Sequence, residues 1–366
     1  MNLKIGIVGL PNVGKSTLFN ALTKSAKAAA ENFPFCTIDP NVGIVEVPDK
    51  RVNALAEIVN PERVVRSSVE FVDIAGLVEG ASQGEGLGNQ FLSHIRECDA
   101  IAHVCRAFES EDIHHVTGSV DPKRDLEVIM TELILADLES VDRQLDRVSR
   151  KTKTGDKEAI LTQGLLNRLK EALEDGKLAS TVEYENEEKE EPLMKQFTLL
   201  TRKPFMVIAN VAEADFASFD TAGFRSKLEL DQSIPLVPIC AKVESDLIDL
   251  EGEELEMFMT ELGASESGLE TLIHGAFDLL GLQSYFTAGV QEVRAWTIYQ
   301  GDTAPRAAAA IHTDFEKGFI KAEVISYDDY LTCKGEQGAK ESGKLRQEGK
   351  EYIVQDGDVI HFKFNV

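Results

Sequence analysis

The sequence predicts an α/β fold with a mostly parallel sheet, an inserted antiparallel helical hairpin and a smaller β-rich C-terminal domain. Three observations predict it. The apolar run Leu3–Val8 feeds a glycine loop and then a segment of helical spacing. About ninety-five residues with long helical periodicities separate a strand at 100–108 from another at 204–210. Connections within a compact domain are rarely that long, so the stretch reads as an insertion. From Gly281 to Val366 strand-like segments alternate with turns.

The chain has 366 residues, enough for two or three domains. Its 43% hydrophobic and 28% charged content suit a soluble globular protein with a sizeable core. A formal net charge of −25 repels free nucleic acid on average, so any contact with it needs a local basic patch. The five cysteines (Cys36, Cys98, Cys105, Cys240, Cys333) show no paired metal-ligand spacing and read as reduced core residues. The apolar run Ile5–Leu10 meets Pro11 at once and is too short for a signal or a span. A cytoplasmic protein without membrane contact is expected.

The first element is a buried parallel strand, Leu3–Val8. It runs into Gly9-Leu10-Pro11-Asn12-Val13-Gly14-Lys15-Ser16, which matches G-x-x-x-x-G-K-S/T. Thr17–Thr23 follows with Leu18, Ala21 and Leu22 on one helical face. Strand, glycine loop and helix together define a P-loop. Backbone N–H groups close around phosphate oxygens, and the helix N-terminus adds partial positive charge. Lys15 is expected at the β- and γ-phosphates, Ser16 on Mg²⁺, and Asn12, Val13, Gly14 and Thr17 along the nucleotide.

Val69–Gly76 is a strand ending in D-x-x-G. Asp73 is expected to hold Mg²⁺, through water, and the Gly76 N–H to sense the γ-phosphate. Between these motifs Asn32–Pro40 carries two prolines and reads as a loop. Its Thr37 is either the Mg²⁺-ligating switch threonine or a turn residue. After Asp73, five glycines fall within residues 76–88, a composition suited to a mobile switch. Ras-like enzymes place a water-orienting glutamine straight after D-x-x-G. Here the residue is Leu77, which has no hydrogen-bonding group.

The strand Pro204–Asn210 continues as Asn210-Val211-Ala212-Glu213 where a guanine reader carries N-K-x-D. Glu213 is one methylene longer than aspartate, and Val211 removes the lysine. A pocket that reads by hydrogen bonding loses affinity steeply on mispairing, so guanine preference is expected to weaken. Asn210 or a nearby carbonyl would accept from the adenine amino group; the alternative for Asn210 is a turn residue. The next strand, Leu236–Lys242, ends in Cys240-Ala241-Lys242, like the S-A-K loop that flanks the base in G domains.

The chain resembles the YchF or Obg-like ATPase family. The motifs are GLPNVGKST (9–17), NFPFCTIDPNVG (32–43), DIAGLVEGASQGEGLGNQFL (73–92) and NVAE (210–213). The resemblance implies ATP hydrolysis in preference to GTP, a hydrophobic residue in place of the catalytic glutamine, and association with ribosomes. It also points to His115, in Ile113-His114-His115-Val116, as the substitute for that glutamine. A surface or core histidine pair is the other reading. Asn12 stands where related G proteins hold K⁺ against the phosphates.

Inside the insertion, Asp125–Ser149 repeats apolar residues at threes and fours, and Lys157–Lys177 does the same after the turn 152–156. Residues 143–157 carry six basic and two acidic side chains, a net of +4. That tip is either a contact for RNA phosphates or a solvated surface. Glu183–Glu191 (EYENEEKEE) is acidic and is expected on the surface.

The C-terminal region predicts strands at Val293–Tyr299, Ala322–Ser326 and Val359–Phe364, with one short helix. With Thr287-Ala288-Gly289-Val290 at its entry and Tyr352-Ile353-Val354-Gln355-Asp356-Gly357-Asp358-Val359-Ile360 near its end, it resembles the TGS domain, a β-grasp module, which implies a link to RNA or ribosome regulation. Its ten basic and thirteen acidic residues, a net of −3, set up no strong field for nucleic acid. The expected organisation is a P-loop G-type domain at 1–118 and 201–280, a helical arm at 119–200 and a TGS domain at 281–366. The expected function is a Mg²⁺-dependent ATPase switch acting on the 70S ribosome or its large subunit. An Obg-type GTPase and a ribosome-binding nucleotide sensor with negligible turnover are the alternatives.

Overall fold

The computed structural model describes residues 3–29, 41–75, 86–109, 120–247, 250, 253–261 and 266–365. Among them the strands run, in chain order, β1 (Lys4–Val8), β2 (Val42–Glu46), β3 (Arg63–Val65), β4 (Ser68–Asp73), β5 (Ala100–Arg106) and β6 (Phe205–Asn210). They continue as β7 (Leu236–Ile239), β8 (Leu282–Ala288), β9 (Glu292–Tyr299), β10 (Phe319–Ile325), β11 (Arg346–Glu348) and β12 (Val359–Phe364). The chain divides into two compact units, one of Lys4–Ala21 and Phe71–Gly268, the other of Met1–Leu3, Leu22–Glu70 and Leu269–Val366.

In the first unit the strands lie in the order β4-β1-β5-β6-β7. The pairs β1/β5, β5/β6 and β6/β7 are all parallel, as the unbroken apolar runs predict. Every residue of β5 is buried. Cys105, Val207 and Ala209 on the sheet pack with Phe224, Leu228 and Val243. In register, Arg106 of β5 lies opposite Asn210 of β6, and Asn210 opposite Ile239 of β7. The strands therefore deliver their following loops to one carboxyl edge, where ligands bind in open parallel sheets.

The insertion begins with a helix over Pro122–Thr152. The Asp121 side chain accepts from the Arg124 N–H, and Pro122 starts the helix where a missing N–H costs nothing. After a turn, Asp156 caps a second helix over Lys157–Glu174 by accepting from the N–H groups of Glu158 and Ala159. This helix ends before the predicted Lys177 because Gly176 turns left-handed at φ +73°. Val141, Leu165, Leu166 and Leu169 form the buried seam between the two helices. All six basic residues of the tip are exposed. Among the described residues, only Arg143 of these is ion-paired, to Glu139 at 3.4 Å.

The acidic stretch lies largely on the surface, as predicted, with Glu190 the exception. Glu187–Phe197 is a third helix, and its Leu193, Met194 and Phe197 join the same apolar cluster. Glu190 is fully buried. Arg168 grips both of its oxygens, at 2.7 and 2.8 Å, and the Glu185 N–H donates to it at 2.8 Å. Burial alone would raise its pKa, but these partners hold the carboxyl below the usual range. Composition marked the stretch as solvated, whereas one arginine twenty-two residues away changes that for a single glutamate.

In the second unit the sheet order is β11-β10-β12-β8-β9-β3. Its centre is a parallel pairing of β8 and β12 at Phe286 and Val359, and β9 and β10 run antiparallel to their neighbours β8 and β12. Four short helices replace the single predicted one: Ala304–Ala309, Thr313–Lys317, Tyr327–Thr332 and Glu336–Glu341. Each has only five or six residues, too few for a 3.6-residue period to show. The predicted boundary at 281 also differs from the compact division. Strand β3 adds to β9 in parallel, and the helix Lys50–Val59 buries Val52 and Leu55 against Phe286, Val293 and Ala295. Residues 50–65 thus pack with the C-terminal chain.

Candidate nucleotide-binding site

A cavity of about 890 Å³ opens at the carboxyl edge of the parallel sheet. One wall is the glycine loop. Asn12, Gly14, Lys15, Ser16 and Thr17 line it, with Asp73 beside them at the end of β4. Two glycines are fixed by space. A Cβ on Gly9 would lie 2.9 Å from the Val104 carbonyl oxygen. Gly14 has φ +95°, and a Cβ there would lie 2.0 Å from the Asn210 Nδ2. Asn12 is left-handed at φ +65°, a conformation asparagine tolerates. Lys15 is buried, and its ammonium pairs with the Asp73 carboxylate inside the cavity. Lysine, serine hydroxyl and carboxylate therefore converge as the motifs predict. A hydroxyl and a carboxylate are hard oxygen donors, a set that suits Mg²⁺.

Val13 is placed differently from its neighbours. It is fully buried and contributes its carbonyl, which accepts from Asn210 Nδ2 at 2.9 Å.

The opposite wall comes from the loops after β6 and β7. Asn210, Val211 and Glu213 face Cys240, Ala241 and Lys242. β7 stops at Ile239, short of the predicted 242, and Ala241 opens a helix to Leu247. The Asn210 side chain is bonded within the protein on both sides of its amide. Its amide N–H donates to Val13, and its amide oxygen accepts from the Ala241 N–H at 3.2 Å. With 6% exposure, it holds the phosphate loop and the C-A-K loop together. Cys240 is buried, which pushes its thiol up, although the N–H groups of Val243 and Lys242 oppose that shift. Glu213 and Lys242 stand at the exposed rim, 2.9 Å apart.

Sequence reasoning missed Phe108, which also lines the cavity. The guanidinium of the buried Arg106 lies 4.5 Å from the Phe108 ring centroid, and its Nε donates to the Phe108 carbonyl at 3.1 Å. The signal available was an aromatic two residues past the end of a buried strand. Thr37, Gly76, Leu77 and His115 lie outside the described residues.

Elsewhere, Glu323, Glu336 and His361 bring three potential metal-ligand atoms within 4.8 Å of one another. Lys363 stands 3.3 Å from both the Glu323 carboxylate and the His361 Nδ1, so a protein cation already serves that cluster.

Fold and site together define a P-loop nucleotide-binding protein of the G-domain type. Two family models match the chain. One, described as a 50S ribosome-binding GTPase, covers residues 4–153. The other is the YchF GTPase C-terminal family, described as a protein of unknown function (DUF933), over residues 282–365. "Ribosome-binding ATPase YchF" of Bacillus subtilis is 55% identical over 371 residues, with all of both chains covered. The protein of the same name from Haemophilus ducreyi is 56% identical over 366 residues, again with full coverage of both. A solved structure of the Schizosaccharomyces pombe YchF GTPase is 38% identical. It superposes with a TM-score of 0.87 over 99% of this chain and 98% of the other. The chain belongs to the YchF family.

Proposed function

We propose that the chain is a ribosome-binding, Mg²⁺-dependent ATPase that prefers ATP to GTP and works as a switch in the cytoplasm. The observation that carries this reading is one cavity holding both a phosphate wall and an N-V-A-E base wall. Lys15 and the loop N–H groups stabilise charge on the phosphates. Ser16 and Thr37, with Asp73 through water, would hold Mg²⁺, which would supply positive charge against the phosphates. Water attacks the γ-phosphorus, the bond to the bridging oxygen breaks, and ADP and phosphate leave. His115 is the proposed group that orients this water, and the Gly76 N–H the one that senses the γ-phosphate. Asn12 is the proposed holder of K⁺. The partner is the 70S ribosome or its large subunit. The exposed basic tip, a local reversal in a chain of net charge −25, is the surface proposed to meet RNA phosphates.

The relatives' names include both an ATPase and a GTPase, which keeps GTP as the second reading. Competition binding of ATP against GTP, with and without ribosomal subunits, decides between them. A clear GTP preference overturns the ATP reading. Turnover in the same samples separates a hydrolase from a nucleotide sensor.

A further inference from the structure

The two rim residues of the base wall are joined to each other. β6 and β7 are parallel neighbours with Asn210 opposite Ile239. Glu213 and Lys242 each lie three residues beyond that pair, so both loops bring them to the same height. The Lys242 ammonium donates to the Glu213 carboxylate at 2.9 Å. Glu213 is 54% exposed and Lys242 74%, and both line the nucleotide cavity. Asn210 lies beneath them with its amide committed to Val13 and Ala241.

A lone carboxylate presents two acceptors, which match two adjacent N–H groups on the guanine edge. A carboxylate with an ammonium on one oxygen presents an acceptor beside a donor. The adenine edge carries an amino donor beside a ring-nitrogen acceptor. On a guanine, one of the two N–H groups would instead face the lysine N–H groups, donor against donor. Discrimination often rests on such a repulsive element as much as on an attractive one.

We propose that Glu213 and Lys242 act as a single acceptor–donor edge that selects adenine, with Lys242 the positioning residue that converts the acid from a guanine-type to an adenine-type reader. The proposal rests on the reading of the cavity as an ATP site. It assigns the specificity to a pair, where Glu213 alone would be one methylene away from an ordinary guanine-reading acid. Because the pair is exposed, its effect is modest and sensitive to salt.

The test measures dissociation constants of ATP and GTP by competition for the full-length wild type, Lys242→Met, Glu213→Gln and the double variant, at low and high salt. Lys242→Met is expected to lower the ATP-to-GTP affinity ratio about two- to fivefold, the range that an exposed ion pair supports. High salt is expected to shift the wild-type ratio in the same direction and to leave the Lys242→Met ratio unmoved. The effects of Lys242→Met and Glu213→Gln on the ratio are expected not to add in the double variant. A ratio that stays constant in Lys242→Met, with both nucleotides weakening together or not at all, overturns the proposal. A wild type that prefers GTP overturns the ATP reading instead, and it is recognised before any variant is compared.

Discussion

The two walls of the cavity are built in opposite ways. The phosphate wall is one continuous stretch, Gly9–Thr17, whose chemistry is carried by backbone N–H groups and one lysine. The base wall is assembled from two loops about thirty residues apart in sequence, and its polar groups bond first to one another. A contiguous motif fixes backbone geometry and so announces its own function. An assembled wall shows only which residue types are present, and the pairing among them decides which are left for a ligand. Asn210 illustrates this. By type it suits an adenine amino group, but by position it is a strut between Val13 and Ala241.

The largest effect is expected on the phosphate wall. Lys15→Ala removes the buried cation of the cavity and is expected to reduce turnover by about a hundredfold or more in a single-turnover assay. Because Lys15 also pairs with Asp73, that variant leaves a carboxylate without its partner. Lys15→Arg keeps the charge but not the reach, and serves as the control for electrostatics alone. Rescue by arginine to near wild-type turnover would mean that the wall needs only a positive charge.

Asn210→Ala sharpens the contrast between strut and reader. It deletes two buried hydrogen bonds and leaves the Val13 carbonyl and the Ala241 N–H without this partner. The expected loss is about 1–3 kcal/mol of stability, checked by thermal denaturation. A strut weakens ATP and GTP alike, because both need the phosphate loop. A selective loss of ATP in competition binding would return Asn210 to the role of base reader.

The sequence was most legible where spacing alone constrains the backbone. The P-loop, the parallel strands and the two arm helices follow from local glycine placement and apolar periods. It was least legible where long-range partners decide. Glu190 looks solvated until Arg168 meets it. Arg63–Val65 is three residues that form a strand only because β9 pairs with them. The helices of the C-terminal unit are each about one and a half turns, below the length at which a period can be read. Phe108 carries no motif, and only the fold brings it to the cavity.

The smallest expected effect lies in the sheet beneath both walls. His103 sits in β5 with 1% exposure, opposite Val8 of β1 and Val207 of β6. Among the described residues neither ring nitrogen has a hydrogen-bond partner. Burial lowers its pKa from 6.5 to about 3, so the folded protein keeps the imidazole neutral. The unfolded chain takes up a proton through pH 6.5, which the folded state refuses until about pH 3. Stability from this residue is therefore full above pH 6.5 and is lost as pH falls toward 3. At pH 5.5 the loss is about 1.4 kcal/mol. His103→Leu is expected to remove that share of the fall in thermal stability between pH 7.5 and 5.5. In the wild type the His103 ring resonances are expected not to titrate over that range. A ring that titrates near pH 6 would mean that water or a carboxylate reaches it. The two walls would then rest on a sheet whose charge changes with pH, and nucleotide affinity would follow it.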